Sequence, residues 1–73
     1  SAYERVPQCQ FYDEDDNLLG KVTDVFPTGS NDVYAVSREG RKDLLLPVID
    51  DVILKVDLAN KRITARVMEG LED

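Results

Sequence analysis

The sequence has no histidine, no tryptophan and a single cysteine, Cys9, among its 73 residues. Without histidine, a serine or cysteine nucleophile lacks its usual general base, and a zinc site lacks its commonest nitrogen ligand. One cysteine cannot form a disulfide within the chain, so stability must come from packing, which suits a reducing cytosol. We therefore expect no enzyme, with no catalytic residues, no metal and no cofactor.

Long apolar runs are also missing. No stretch approaches the roughly 18 residues of a membrane span, and the amino terminus lacks the basic and apolar regions of a signal peptide. We expect a soluble, cytoplasmic protein that has no membrane partner. Ser1 and Ala2 are consistent with a remnant of tag cleavage, and the charged start that follows predicts a domain excised from a longer chain.

Basic residues are in the minority, with nine Lys and Arg against fifteen Asp and Glu and a net charge of −6. This charge repels a phosphate backbone, because nucleic-acid affinity depends on Lys and Arg displacing counterions. We therefore expect no direct nucleic-acid binding by this domain alone. The same charge suits a basic protein partner, or it serves only to keep a small domain soluble, and composition leaves both alternatives open.

Short apolar runs separated by turn signals predict an all-β protein. The predicted strands cover 8–13, 21–26, 33–37, 43–46, 52–57 and 63–67, with a single helical turn over 48–51 after Pro47. In the fifth strand, strict alternation places Val52, Leu54 and Val56 on one face. Six strands without a helical period predict a small six-stranded barrel or rolled sheet. We assign residues 8–73 to this barrel and residues 1–7 to a tail or linker remnant.

The turn TGSN, at 28–31, predicts a reversal in which Gly29 supplies a positive φ and Asn31 and Asp32 hydrogen-bond back to the chain. The acidic run at 13–17 resembles the start of a calcium loop. It departs from that motif because Leu18 occupies the position of the obligatory glycine and Asp24 that of the bidentate glutamate. We interpret this run as a hairpin turn whose Asp and Asn side chains cap backbone amides.

The adjacent Asp50 and Asp51 could suggest a metal site or an acid-base pair. Successive side chains in a turn usually diverge, so we interpret them as caps of the turn after Pro47. The single cysteine, Cys9, is interpreted as a half-buried strand residue.

Two stretches, NLLGKVTDVFPTGSNDVYAV and DLLLPVIDDVILKVDLANKRITARVMEGLED, follow one pattern across about three quarters of the chain. The matching residues are Gly20, Val22, Asp24, Val25, Thr28, Gly29, Asn31, Asp32, Val33, Leu45, Leu46, Pro47, Asp51, Val52, Ile53, Val56, Asp57, Glu69, Gly70 and Leu71. In this pattern the chain resembles the carboxyl-terminal PRC-barrel domain of the RimM family of ribosome maturation factors.

The resemblance implies a six-stranded PRC-type β-barrel that acts as an assembly factor for the small (30S) ribosomal subunit. It implies binding to ribosomal protein S19 in the head of that subunit, support of 16S rRNA maturation, and no enzymatic activity. Family members usually carry a further amino-terminal barrel, which we expect to be the missing partner domain of the same factor. The aromatic-rich linker of the family is represented at best by Tyr3, so its role in binding ribosomal protein S19 is not carried onto any residue here.

Turn and outward-facing positions are the candidate partner-binding residues, and for each a structural role is the alternative. They are Asn31, Asp32, Tyr34, Asp50 and Asp51. Tyr34 is equally well explained as a core residue. An alternative function is that of a stand-alone PRC-barrel, a structural or membrane-associated adaptor similar to the cytoplasmic domain of photosynthetic reaction-centre H subunits.

Overall fold

The computed structural model describes residues 9–67, which form six strands and no helix. The strands are β1 (Gln10–Tyr12), β2 (Leu18–Pro27), β3 (Asp32–Arg38), β4 (Arg41–Pro47), β5 (Ile53–Asp57) and β6 (Arg62–Ala65). The predicted all-β fold is therefore confirmed. The predicted turn after Pro47 is present as one hydrogen-bonded reversal, in which the Ile49 carbonyl accepts from the amides of Val52 (3.0 Å) and Ile53 (2.8 Å).

All six strands belong to one sheet in the order β4-β3-β2-β1-β6-β5. The pairs β1/β2, β2/β3, β3/β4 and β5/β6 are antiparallel, as hairpin connections require. The exception is β6, which lies parallel to β1, with Phe11 opposite Ile63. The carboxyl-terminal hairpin therefore joins the sheet beside its first strand.

The short connection between β4 and β5 requires the sheet to roll up. These strands are the two edges, yet only residues 48–52 separate them in sequence. A flat sheet of six strands would hold its edges about 24 Å apart, at about 4.8 Å for each strand spacing. The connection reaches about 20 Å when fully extended, and its hydrogen-bonded reversal shortens it further. The sheet must therefore curl until its edges approach one another.

The core fills the inside of this roll. Its largest fully buried side chains are Phe11, Leu44, Leu46, Ile63, Val22, Val36 and Val52. The ring of Phe11 meets that of Tyr34 edge to face, with centroids 5.4 Å apart and planes at 71°. Each fully buried aliphatic or aromatic side chain contributes about 1.5–3 kcal/mol to folding, so a few residues account for most of the hydrophobic stabilisation.

Strand β5 departs from the predicted alternation. Val52 is fully buried, but Leu54 is 38% exposed and Val56 is 49% exposed. The reason is a register shift, since Ile53 pairs with Ala65 while Lys55 pairs with Thr64, which leaves Leu54 as an extra residue. Ile53 packs against the core instead. The predicted alternation of Val52, Leu54 and Val56 on one face is therefore wrong, because Leu54 interrupts it. Val56 lies opposite the buried Ile63 but remains half-exposed on the edge strand.

The acidic turn between β1 and β2 is organised around one carboxylate. Asp13 Oδ1 accepts from the amides of Asp15 (2.8 Å) and Asn17 (2.9 Å), and Oδ2 accepts from the Asn17 side chain (3.2 Å). These bonds, chiefly the one from the Asn17 amide, hold the pKa of Asp13 below its ordinary value. The interpretation of this run as a side-chain-capped turn is confirmed.

Candidate functional site

Two turns meet at one end of the sheet and bring together four of the predicted partner-binding residues. The Val48 amide, directly after β4, donates to the Asp32 carbonyl at the start of β3 (2.9 Å). In the adjoining ladder Val33 lies opposite Pro47. The turn that carries Asn31 and Asp32 is thus fixed beside the turn that carries Asp50 and Asp51. We call this surface, together with the half-exposed Ile49, the acidic end.

The threonine, rather than the glycine, organises the TGSN turn. The Thr28 hydroxyl donates to the Asn31 carbonyl (2.7 Å) and accepts from the amides of Ser30 and Asn31 (both 3.3 Å). The Asn31 side chain donates to the Asp32 carbonyl (2.8 Å). Positive φ occurs at Gly20 and Gly40 but not at Gly29, so the prediction that Gly29 supplies one is wrong. A side-chain hydroxyl that bonds three residues ahead closes the turn without it.

The carboxylates of Asp50 and Asp51 are exposed. Neither accepts a hydrogen bond from any group in residues 9–67, so the expected capping role is not found there. The Ile49 carbonyl, which accepts two amides, closes this turn instead. The negative charge of Asp51 acts on Arg66, whose pKa is raised chiefly by Glu14 and further by Asp51.

Tyr34 is a core residue, the alternative that the sequence left open. It is 6% exposed and packs against Phe11, so it does not face outward with the other four candidates. Burial raises the pKa of Tyr34, and the negative charge of Asp32 raises it further. Tyr34 therefore supports the end of β3 from inside the roll.

Apolar side chains on the outer surface accompany the acidic end, and sequence reasoning missed them. Phe26 is 36% exposed, Ile49 39% and Leu45 47%. Phe26 lies opposite Val33, which in turn lies opposite Pro47, so one apolar row crosses β2, β3 and β4 beside the two turns. The signal was present in the run Leu44 to Leu46, because alternation in a strand forces the middle of three leucines outward.

The side-chain chemistry of the described residues offers carboxylates and a buried thiol. Residues 9–67 contain no cluster of His, Cys, Asp and Glu suited to hold a metal ion. Cys9 is buried rather than half-buried, and burial raises the pKa of its thiol, which lowers its reactivity. A carboxylate-rich surface attracts basic molecules over long range, and half-exposed apolar side chains beside it add area that contact can bury.

Comparison with known proteins identifies the family. The sequence model for the RimM PRC barrel domain matches residues 8–71. The chain belongs to the RimM PRC barrel domain family. It is 49% identical over 71 residues to the ribosome maturation factor RimM of Shouchella clausii, a match that covers 97% of this chain and 41% of that protein. It is 55% identical over 60 residues to RimM of Streptococcus mutans, covering 82% of this chain and 35% of that protein.

The fold is that of a solved RimM structure. The crystal structure of the 16S ribosomal RNA processing protein RimM from Pseudomonas aeruginosa superposes with a TM-score of 0.81 at 24% identity, covering 90% of this chain and 43% of that one. The chain thus spans about two fifths of the length of the RimM proteins that it matches. In the part of the chain that the structure describes, no helix is long and apolar enough to cross a membrane.

Residues of the RimM pattern have structural roles in this domain. Val22, Leu46 and Val52 are core residues, and Asp57 closes the β5–β6 turn by accepting from the Asn60 amide (3.2 Å) and side chain (2.8 Å). Gly20 lies so close to β3 that a Cβ atom would overlap the Ser37 carbonyl oxygen. Glu69, Gly70 and Leu71 lie outside the described residues. The pattern therefore specifies the fold more directly than it specifies a binding surface.

Proposed function

We propose that this chain is a non-enzymatic, cytoplasmic assembly-factor module for the 30S ribosomal subunit, and that it binds ribosomal protein S19 and supports 16S rRNA maturation. The match of residues 8–71 to the RimM PRC barrel domain carries this proposal. The curated relatives are named ribosome maturation factors, and this chain corresponds to about two fifths of each. The further amino-terminal barrel of the family is the proposed partner domain.

The acidic end is the proposed contact surface for ribosomal protein S19. Its side chains Asp32, Asp50 and Asp51 present negative charge, and Phe26 and Ile49 add exposed apolar area. A basic ribosomal protein is attracted to such a surface over long range, and the apolar side chains supply area that is buried once contact is made. Asn31 lies in the same turn and provides a polar group at the edge.

A calorimetric titration with purified ribosomal protein S19 tests the proposal. The test variant removes two charges from the acidic end, Asp50→Asn with Asp51→Asn. The control removes two charges from the opposite ends of β3 and β4, Glu39→Gln with Asp43→Asn. Along the strands, Glu39 lies about 23 Å from Asp32 and Asp43 lies about 13 Å from Pro47, so the net charge changes equally while the location differs.

We expect the test variant to bind about three- to tenfold more weakly than the native chain, since each exposed charge contributes about 0.2–1 kcal/mol. The control should remain within about twofold, and all affinities should fall with salt. Equal weakening in both variants would contradict the assignment to the acidic end. Absence of binding by this chain and by a full-length protein that contains it would contradict the proposed function itself.

A further inference from the structure

The outer surface of β1, β2 and β6 carries an open groove of about 570 Å³ that is polar and basic. We call it the basic groove, and it is lined by Gln10, Tyr12, Lys21, Asn60, Lys61 and Arg62. The sheet register explains the grouping, because Gln10 lies opposite Lys21 on one side and opposite Arg62 on the other. One row of side chains therefore crosses three strands, a width of about 10 Å.

The local charge of this surface is opposite to that of the chain. A smaller adjoining groove shares Arg62 with the basic groove and adds Lys55, Asp16 and Asp57. Together the two grooves hold four positive and two negative side chains, an excess of +2. Because the whole chain carries −6, all other residues together carry −8. The charges are therefore segregated, and a net negative composition does not describe this face.

Arg62 is held in place within the basic groove. Its guanidinium carbon lies 3.8 Å from the centre of the Tyr12 ring, and one of its nitrogens is paired with Asp16 at 2.5 Å. The Tyr12 hydroxyl donates to the Gln10 side chain (3.0 Å), which fixes the ring from the other side. A positioned guanidinium loses less conformational entropy when it binds an anion than a free one does.

Two lysines flank this arginine. Lys21 and Lys61 are exposed, and neither forms an ion pair with any residue of the range 9–67. Within that range, no carboxylate in direct contact neutralises their charges. The groove consequently offers three cations, of which one is fixed and two are adaptable.

We propose that the basic groove binds the phosphodiester backbone of RNA through Lys21, Lys61 and Arg62. A row about 10 Å wide spans more than one phosphate group, which favours a chain of phosphates over a single free anion. Base stacking is not part of the interaction, because Arg62 already covers the face of the Tyr12 ring. The choice of RNA over an acidic peptide rests on the proposed function in ribosome maturation.

The groove and the acidic end are different surfaces, which allows simultaneous binding of an RNA strand and a basic protein. The expectation that this domain binds no nucleic acid followed from net charge, which averages over the whole surface. A few clustered cations are enough for a weak, salt-dependent contact with a phosphate backbone.

Fluorescence anisotropy with a labelled, single-stranded RNA of about 12 nucleotides tests the proposal. The test variant is Lys21→Glu with Lys61→Glu. The matched control is Arg41→Glu with Lys42→Glu, an equal change in net charge at the exposed start of β4. Circular dichroism of both variants establishes that they are folded. Inorganic phosphate and polyglutamate are each added as a competitor at equal charge concentration. Displacement of the RNA by phosphate would indicate a site for a free anion, and displacement by polyglutamate would indicate a site for an acidic peptide.

Three phosphate contacts predict a slope of about −2 for the logarithm of affinity against the logarithm of salt, so affinity should fall roughly 20-fold between about 50 and 200 mM salt. We expect the test variant to bind the RNA at least about tenfold more weakly. Its salt slope should shrink to that of about one phosphate contact, while the control keeps the native slope. Neither competitor should displace the RNA at equal charge concentration.

Three results would overturn the proposal: no anisotropy change at about 50 mM salt, equal losses in the two variants, or full displacement by phosphate or polyglutamate. The titration contains no ribosomal protein S19. Its failure therefore leaves the proposed protein contact standing, and failure of the protein titration leaves the RNA result standing.

Discussion

The two glycines Gly20 and Gly29 both belong to the RimM pattern, yet the structure predicts opposite effects when each is replaced by alanine. At Gly20, φ is +155°, and a Cβ atom would overlap the backbone carbonyl oxygen of Ser37 and lie 2.9 Å from Val36 Cγ1. At Gly29, φ is not positive and nothing lies within 4 Å of a Cβ atom. The first glycine is required by packing and backbone geometry, whereas the second is not.

The cost of Gly20→Ala has two parts. Overpacking against a backbone atom that cannot rotate away costs about 1–3 kcal/mol, and a φ that alanine rarely adopts costs about 1–3 kcal/mol more. A chain of this size has a total stability of about 4–11 kcal/mol, at 0.05–0.15 kcal/mol per residue. We therefore expect Gly20→Ala to remove about 2–6 kcal/mol, which is a large share of the total.

Urea denaturation followed by circular dichroism measures this loss, since the chain has no tryptophan to report by fluorescence. With a slope of about 1 kcal/mol/M, a loss of 3 kcal/mol lowers the midpoint by about 3 M. Gly29→Ala should leave the free energy of unfolding unchanged or raise it by up to about 1 kcal/mol, which raises the midpoint by up to about 1 M, because alanine restricts the unfolded chain. Similar midpoints for the two variants would refute the claim that close approach of β2 to β3 fixes Gly20.

Two further predictions concern the core and the first turn. Phe11→Ala, which deletes a fully buried ring in contact with Tyr34, should cost about 3–5 kcal/mol in the same denaturation assay, whereas a cost below about 1 kcal/mol would contradict the described core. The lowered pKa of Asp13 means that its contribution to stability is present above its ordinary pKa of 3.8 and is lost as pH falls through the lowered value. We therefore expect Asp13→Asn to flatten the acid side of the stability profile, and an unchanged profile would show that the bonds from Asn17 do not stabilise the turn.

Much of the fold could be predicted from the sequence because local chemistry determines it. Proline has no amide to donate to a strand ladder, and the strands β2 and β4 end at Pro27 and Pro47. In the first turn, the Asp13 side chain caps amides a few residues away. The long-range features could not be predicted in this way. The parallel pairing of β6 with β1, and the extra residue Leu54 in β5, depend on which strands become neighbours. Alternation alone carries no information about that choice.

The candidate site was only partly predictable, for a related reason. Asn31, Asp32, Asp50 and Asp51 were identified as turn residues, but their common location at one end depends on the ladder between β3 and β4. Tyr34 lies between apolar neighbours, and only the register shows that it faces the core.

The buried positions of the RimM pattern and the exposed charges of the two proposed surfaces are under different physical constraints. Core and turn positions such as Gly20 and Val22 accept few side chains, because neighbouring atoms leave no space for others. Exposed charges such as Lys21 and Asp50 meet no such steric limit, so a sequence pattern records them poorly. Their effect depends on spatial clustering, which here produces an acidic end and a basic groove within one chain of charge −6. The two proposed surfaces therefore differ in charge because of where the rolled sheet places these side chains, and net charge alone does not distinguish them.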